Sequence, residues 1–276
     1  MELFDTKTAE YSLYVGYKNM LPLIQTETSR VLVHERREFL DRKGKTIMDK
    51  KLIASMIDHA VLKPDATDSD LERECGIALT YGVASVCVKP SHVSLAAKML
   101  KGSSVKVSTV IGFPHGSTTT ECKVFEAREA IENGASELDM VINIGKLLSG
   151  HLDYVENDIR SVVDEAHSKD VIVKVILETA LLTDELKEIV CKISDKCGAD
   201  FVKTSTGFNG RGADLDEVKL MKKCVSDRVG VKASGGIKNF VQAVAFVEAG
   251  CTRLGTSSTV EIVGEGFASV AWDSNY

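Results

Sequence analysis

The sequence of 276 residues contains no apolar run approaching the ~20 residues that cross a bilayer, so no membrane-spanning helix is expected. It has no basic excess either. Lys plus Arg number 34 against 40 Asp plus Glu, a net charge of −6, whereas a dedicated nucleic-acid binder carries a basic footprint. The six histidines (His34, His59, His92, His115, His151 and His167) form no HxxxH or HExxH pair, so a metal centre is not expected, and a lone His59 or His115 reads as a packed residue. No early GxGxxG is present, which argues against a dinucleotide cofactor. The seven cysteines are odd in number and form no CxxC pair, so neither a disulfide framework nor a zinc knuckle is suggested. Free, mostly buried thiols in a reducing cytosol are the expectation. The first residues carry Glu2, Asp5 and Glu10 without an apolar signal core, consistent with a cytoplasmic protein.

What is present is a rhythm. From about residue 51, short β-rich apolar runs alternate with polar turns and helical patterns. The runs are Met56–Leu62, Ala84–Val88, Val105–Phe113, Glu137–Asn143, Val171–Glu178, Phe201–Thr206, Val229–Ala233 and Arg253–Thr256. Between them lie helical stretches such as Asp68–Tyr81, Thr118–Asn133, Tyr154–Ser168 and Phe240–Ala249. Strands alternating with helices imply parallel pairing, and "DVIVKVIL" has the continuous apolar character of a strand covered on both faces. Eight such units predict an α/β fold, a (β/α)8 TIM barrel over residues 51–264. A doubly wound open sheet is the alternative. The eight units and the glycine-rich turns placed late, after runs six to eight, favour the barrel. Gly82, Gly134, Gly198 and Gly250 sit where helices need a left-handed ending.

Residues 1–50 break this rhythm. Helical patterns over Thr6–Met20 and Thr28–Arg42 predict an N-terminal helical extension, either a layer packed on the barrel or an oligomer contact. Residues 265–276 form a C-terminal tail in which the pattern fades; Tyr276 is a candidate to fold over the barrel mouth and shuttle a proton.

Charges inside barrel strands are costly unless paired or used. Four stand out on successive strands: Asp139 in "ELDMVIN", Lys174 in "VIVKVILE", Lys203 in "FVKTSTG" and Lys232 in "VGVKASGG". A lysine at its free pKa of ~10.4 is protonated and cannot attack a carbonyl. Burial and a second ammonium nearby favour the neutral amine, which forms a Schiff base with an aldehyde or ketone. The pattern points to carbonyl chemistry, with a carboxylate to relay protons. Glycines and hydroxyls cluster after strands six (Thr204–Gly207), seven (Ser234, Gly235, Gly236) and eight (Gly255–Ser258). There, backbone N–H groups can approach a phosphate. Lys238 and Arg211 are candidate cationic partners.

The motifs "IDHAVLKPDAT" (57–67), "VCVKP" (86–90), "VIGFPHGSTTTECKVFEAREAIENGASELDMVINIG" (110–145), "KVILET" (174–179), "FVKTSTGF" (201–208), "VKASGGI" (231–237) and "LGTSS" (254–258) together resemble deoxyribose-phosphate aldolase, a class I, Schiff-base aldolase. The resemblance runs collinearly over roughly residues 51–264. It implies Lys203 as the Schiff-base lysine, Lys232 as the lysine that lowers its pKa, and Asp139 as the proton relay. Lys174 would be a further polar residue of the pocket, with Gly207, Gly235, Gly236, Ser257 and Ser258 binding phosphate. Cys87, Asp58 and Thr204 lie in the same motifs and are further candidates. The implied reaction is reversible cleavage of 2-deoxy-D-ribose 5-phosphate to D-glyceraldehyde 3-phosphate and acetaldehyde. No cofactor or metal is implied, and a homo-oligomer, a dimer in the first instance, is expected. Some members carry a lysine where this chain has Phe208, and Arg211 is expected to compensate. Another Schiff-base aldolase or a transaldolase, and a catalytically dead sugar-phosphate binder, are the competing readings; the last would have lost Lys203, Lys232 or Asp139.

Overall fold

The computed structural model describes residues 48–264. The helices expected over Thr6–Met20 and Thr28–Arg42, and the tail ending at Tyr276, lie outside the described residues. Eight strands, β1 (Ile57–Val61), β2 (Ser85–Val88), β3 (Lys106–Ile111), β4 (Glu137–Val141), β5 (Ile172–Ile176), β6 (Phe201–Lys203), β7 (Gly230–Ser234) and β8 (Arg253–Thr256), follow one another around a closed barrel. Every neighbouring pair is parallel, and β1 pairs with β8, with Ile57 opposite Leu254. The open doubly wound sheet is thereby set aside, because such a sheet has two edge strands and does not close on itself.

Ten α-helices accompany the strands among the described residues: α1 (Lys50–Ala54), α2 (Asp68–Tyr81), α3 (Val93–Met99), α4 (Thr120–Glu132), α5 (Ile144–Leu148), α6 (Leu152–His167), α7 (Asp184–Lys196), α8 (Leu215–Cys224), α9 (Phe240–Glu248) and α10 (Thr259–Val263). The sequence sets their starts through side-chain caps. Thr67 and Asp70 form a reciprocal capping box at α2, and Thr119, Thr183, Asp214 and Asn239 accept first-turn N–H groups at α4, α7, α8 and α9. Gly82 ends α2 at φ 61°, and Gly134, Gly198 and Gly250 also take positive φ just past their helices. No described helix is long and apolar enough to cross a membrane.

The outward faces of the strands make the core. Leu138, Met140, Val173, Val175, Val202 and Val231 are all completely buried among the aliphatic residues of the helices. All seven cysteines are free; five are buried, Cys224 is half-buried and Cys122 is exposed. His59, also on an outward position, is packed between Thr259 and Glu74, each 2.7 Å from one of its ring nitrogens.

Candidate active site

Alternate side chains of a strand face opposite sides. The inward set of this barrel is largely polar where barrels usually place branched aliphatics. Asp58 on β1, Ser85 and Cys87 on β2, Ser108 on β3, Glu137 and Asp139 on β4, Lys174 on β5, Lys203 on β6, Lys232 on β7 and Arg253 on β8 meet there. Register brings the pieces together: Asp139 lies opposite Lys174 and Lys203 opposite Lys232. Lys203 itself pairs with Ile176, two positions further along β5 than Lys174, so the three ammonium groups reach one carboxylate from different levels.

That carboxylate is Asp139. Its Oδ2 accepts from Lys203 Nζ at 2.8 Å and from Lys232 Nζ at 2.7 Å, and its Oδ1 accepts from Lys174 Nζ at 2.8 Å. Lys232 also donates to Asp58 Oδ2 at 2.5 Å. Lys174 lies 2.6 Å from Glu137 and 3.3 Å from Asp58, and Arg253 bridges Asp58 (2.7 Å) and Glu137 (3.1 Å). Four cationic side chains thus face three carboxylates. Lys174 touches three carboxylates, Lys232 two and Lys203 only one.

The electrostatics follow from this pairing. Burial pushes the Lys203 amine below the ordinary lysine range; Asp139 opposes that shift, and the Lys232 ammonium adds to it. Burial acts on Lys232 in the same direction, but Asp139 and Asp58 outweigh it and hold that lysine above the ordinary range. Lys174 is raised as well, because Asp139, Asp58 and Glu137 overcome its burial. Burial favours the protonated form of Asp139, yet the three lysines keep its carboxyl well below the usual range. The amine most easily deprotonated therefore sits beside a carboxylate held charged and a second ammonium. Burial, with the Asp139 charge, raises the Cys87 thiol and leaves it a protonated neighbour of the cluster.

Beyond the strand ends, the loops present backbone donors. After β6, Thr206 Oγ1 accepts from Phe208 N at 3.1 Å, and after β8, Thr256 Oγ1 accepts from Ser258 N at 2.9 Å. The N–H between each pair, of Gly207 and of Ser257, donates to no described residue, nor does that of Gly236 after β7. Gly207, Gly236 and Ser257 are exposed, and Gly235 and Ser258 are half-buried. Gly207, Gly235 and Gly236 have φ of 84°, 88° and 82°, which glycine adopts without strain. A Cβ on Gly235 would lie 3.7 Å from Gly207 Cα, so the β6 and β7 loops meet at these glycines. Thr204 braces them: its Oγ1 donates to Ser234 O at 3.4 Å and accepts from Ser234 N at 3.1 Å.

The candidate cations divide. Lys238 is exposed beside this rim. Arg211 does not fill the place of the missing lysine: both its terminal guanidinium nitrogens, Nη1 and Nη2, are held by Glu217, which also pairs with Lys187. Phe208 instead stacks edge-to-face on Phe113 with centroids 5.3 Å apart. Sequence reasoning passed over Glu137 and Arg253, which stand first in their strands and read as boundary charges. It also passed over Glu178, the residue after "KVIL", whose burial no apolar pattern announces. No group of three or more His, Cys, Asp or Glu among the described residues is placed to hold a metal ion.

Comparison with known proteins agrees with this geometry. Residues 52–262 match the model of the family described as DeoC/LacD family aldolase. A curated deoxyribose-phosphate aldolase of Clostridium perfringens is 52% identical over 229 residues, 83% of this chain and all of that protein. One from a Geobacillus species is 56% identical over 211 residues, 76% of this chain and 94% of that protein. Among solved structures, the tetrameric deoxyribose phosphate aldolase of Aeropyrum pernix superposes with a TM-score of 0.73 at 36% identity, covering 78% of this chain and 91% of that one. With a closed parallel barrel, a buried lysine cluster inside it and this similarity over most of its length, the chain belongs to the DeoC/LacD family of aldolases.

Proposed function

We propose that the chain is a class I aldolase that reversibly cleaves 2-deoxy-D-ribose 5-phosphate to D-glyceraldehyde 3-phosphate and acetaldehyde. The observation that carries this reading is Lys203: buried in the barrel, lowered in pKa, and bonded to Asp139 beside the Lys232 ammonium.

The neutral Lys203 Nζ attacks C1 of the open-chain sugar, and the carbonyl oxygen takes a proton to give a carbinolamine. The Lys232 ammonium is placed to donate that proton and Asp139 to relay it, directly or through a water. Loss of water leaves an iminium on Lys203. Breaking C2–C3 sends its electron pair into the iminium as an enamine, while the C3 hydroxyl gives up its proton and becomes the aldehyde of glyceraldehyde 3-phosphate. Protonation of the enamine at C2, then attack of water on C1, releases acetaldehyde and restores the amine. Lys174 and Arg253 hold Asp139, Asp58 and Glu137 in place; both help to keep Asp58 charged, and Lys174 does the same for Asp139. The phosphate sits at the rim, on the N–H groups of Gly207, Gly236 and Ser257 with Ser258 and Lys238 beside them.

On this reading the enzyme serves deoxyribonucleotide catabolism in the cytosol, as a homo-oligomer with a dimer in the first instance. Purified full-length protein given 2-deoxy-D-ribose 5-phosphate should release glyceraldehyde 3-phosphate, read through a coupled dehydrogenase, at a rate unaltered by EDTA. Absence of cleavage, or activity lost to the chelator, contradicts the reading.

A further inference from the structure

One buried carboxylate takes no part in the lysine cluster. Glu178 follows β5 and is completely buried. Its backbone takes the left-handed conformation, φ 57° and ψ 61°, unusual for a residue with a side chain. Among the described residues no Lys, Arg or His lies within 4 Å of its carboxyl group, which is held by hydrogen bonds alone. Isolated buried carboxylates and left-handed non-glycine residues are both unfavourable, and their coincidence marks a place where geometry is held for a purpose.

Among the described residues, every donor to the Glu178 carboxylate comes from the β6 loop. Thr206 N donates to Oε1 at 3.2 Å, Thr206 Oγ1 donates to Oε2, and Asn209 Nδ2 donates to Oε2 at 3.0 Å. Asn209 Nδ2 also donates to Pro114 O at 3.0 Å, tying in the loop after β3. Thr206 Oγ1, having given its proton to Glu178, accepts from Phe208 N. The N–H groups on both sides of Gly207 are thereby occupied, and the Gly207 N–H between them meets no described acceptor at the exposed rim, against Gly235. The β8 loop repeats this hydrogen bond, from Ser258 N to Thr256 Oγ1, but Ser257 between them does not share the positive φ of Gly207, and there the threonine hydroxyl donates to the Ile237 carbonyl at 2.7 Å. A backbone carbonyl suffices there; the β6 loop has a carboxylate instead, which also fixes the Thr206 N–H and Asn209.

We infer that Glu178 is a positioning residue: through Thr206 it presets the Gly207 N–H as a donor to the substrate phosphate, and so sets the preference for 5-phosphorylated sugars. The inference rests on the aldolase reading above and adds to it a residue outside the lysine cluster. Glu178→Gln keeps the shape but turns one accepting oxygen into a donor that faces other donors. Thr206→Val removes the hydroxyl at near-constant volume, and Thr206→Ser restores it.

The test compares kcat and KM on 2-deoxyribose 5-phosphate and on free 2-deoxyribose for the full-length protein and these variants, with circular dichroism melts as a check on folding. Glu178→Gln and Thr206→Val should each lower the preference in kcat/KM for the phosphorylated sugar at least tenfold, mainly through KM, while Thr206→Ser keeps it within about twofold of wild type. An unchanged preference, including an equal loss on both sugars, overturns the inference. Should Glu178→Gln fail to fold, Thr206→Val against Thr206→Ser decides alone. Wild-type protein that cleaves neither sugar sinks the aldolase reading itself, and this inference with it. Wild-type cleavage with an unchanged preference in the variants sinks only the role of Glu178.

Discussion

The lysines differ by what they touch. Lys174 and Lys232 are saturated with carboxylates and stay charged; Lys203 meets one carboxylate oxygen and is the amine that burial and a neighbouring ammonium can strip of its proton. These residues were legible in the sequence because a charge in the middle of an apolar strand is conspicuous. Glu137, Arg253 and Glu178 were not, because they stand at strand ends, where charges are ordinary. Lys232→Leu removes the like charge beside Lys203, so the Lys203 pKa rises and less neutral amine is present at a given pH. The variant's residual activity should have its optimum shifted upward by about one unit, equivalent to ~1.4 kcal/mol. The kcat/KM–pH profile checks this; an unshifted optimum at near-normal rate contradicts the role.

Elements were legible where their ends carry chemistry. The expected helix Asp68–Tyr81 coincides with α2, because the Thr67–Asp70 box starts it and Gly82 stops it. The first six strands came out shorter than their apolar runs, whereas β7 is the expected length shifted by one residue and β8 coincides with its run; the chain turns out of the barrel where side chains begin to bond across loops. After Lys203, for instance, Thr204 exchanges hydrogen bonds with Ser234. Contacts between helices left no such trace. Lys123 on α4 and Asp158 on α6 form a completely buried ion pair at 2.5 Å, and Lys123 also donates to Val141 O at the end of β4. In a helical pattern both read as surface charges. Lys123→Met strands the Asp158 charge and should destabilise the protein by about 3–5 kcal/mol, whereas Lys123→Met with Asp158→Leu should recover most of that loss. Thermal melts of the three proteins measure it. At the β8 loop, Ser257→Asp sets a negative charge beside the free Ser257 N–H and should raise KM for the 5-phosphate at least tenfold more than for free deoxyribose. Parallel assays on the two sugars read this; equal losses point away from the rim as the phosphate site.

On the scale of the whole molecule, the count of eight β–α units was enough to favour closure, and closure is what creates the site. Asp58 on the first strand reaches Lys232 on the seventh and Arg253 on the eighth only because β1 pairs with β8. The meeting of loops is a product of the same closure and could not be read from spacing alone. A Cβ on Gly212 would lie 2.2 Å from the Gly235 carbonyl oxygen, so the β6 and β7 loops are packed backbone to backbone at the rim. This arrangement puts one lysine of lowered pKa at the centre of the barrel and unpaired backbone N–H groups at its mouth, the layout a Schiff-base enzyme for a sugar phosphate requires. The most direct measurement is borohydride reduction of the full-length protein in the presence of acetaldehyde, followed by peptide mapping. The account predicts a single stable N-ethyl adduct on the peptide carrying Lys203, formed in proportion to the loss of activity; an adduct confined to Lys174, Lys232 or another lysine, or inactivation without any adduct, would contradict it.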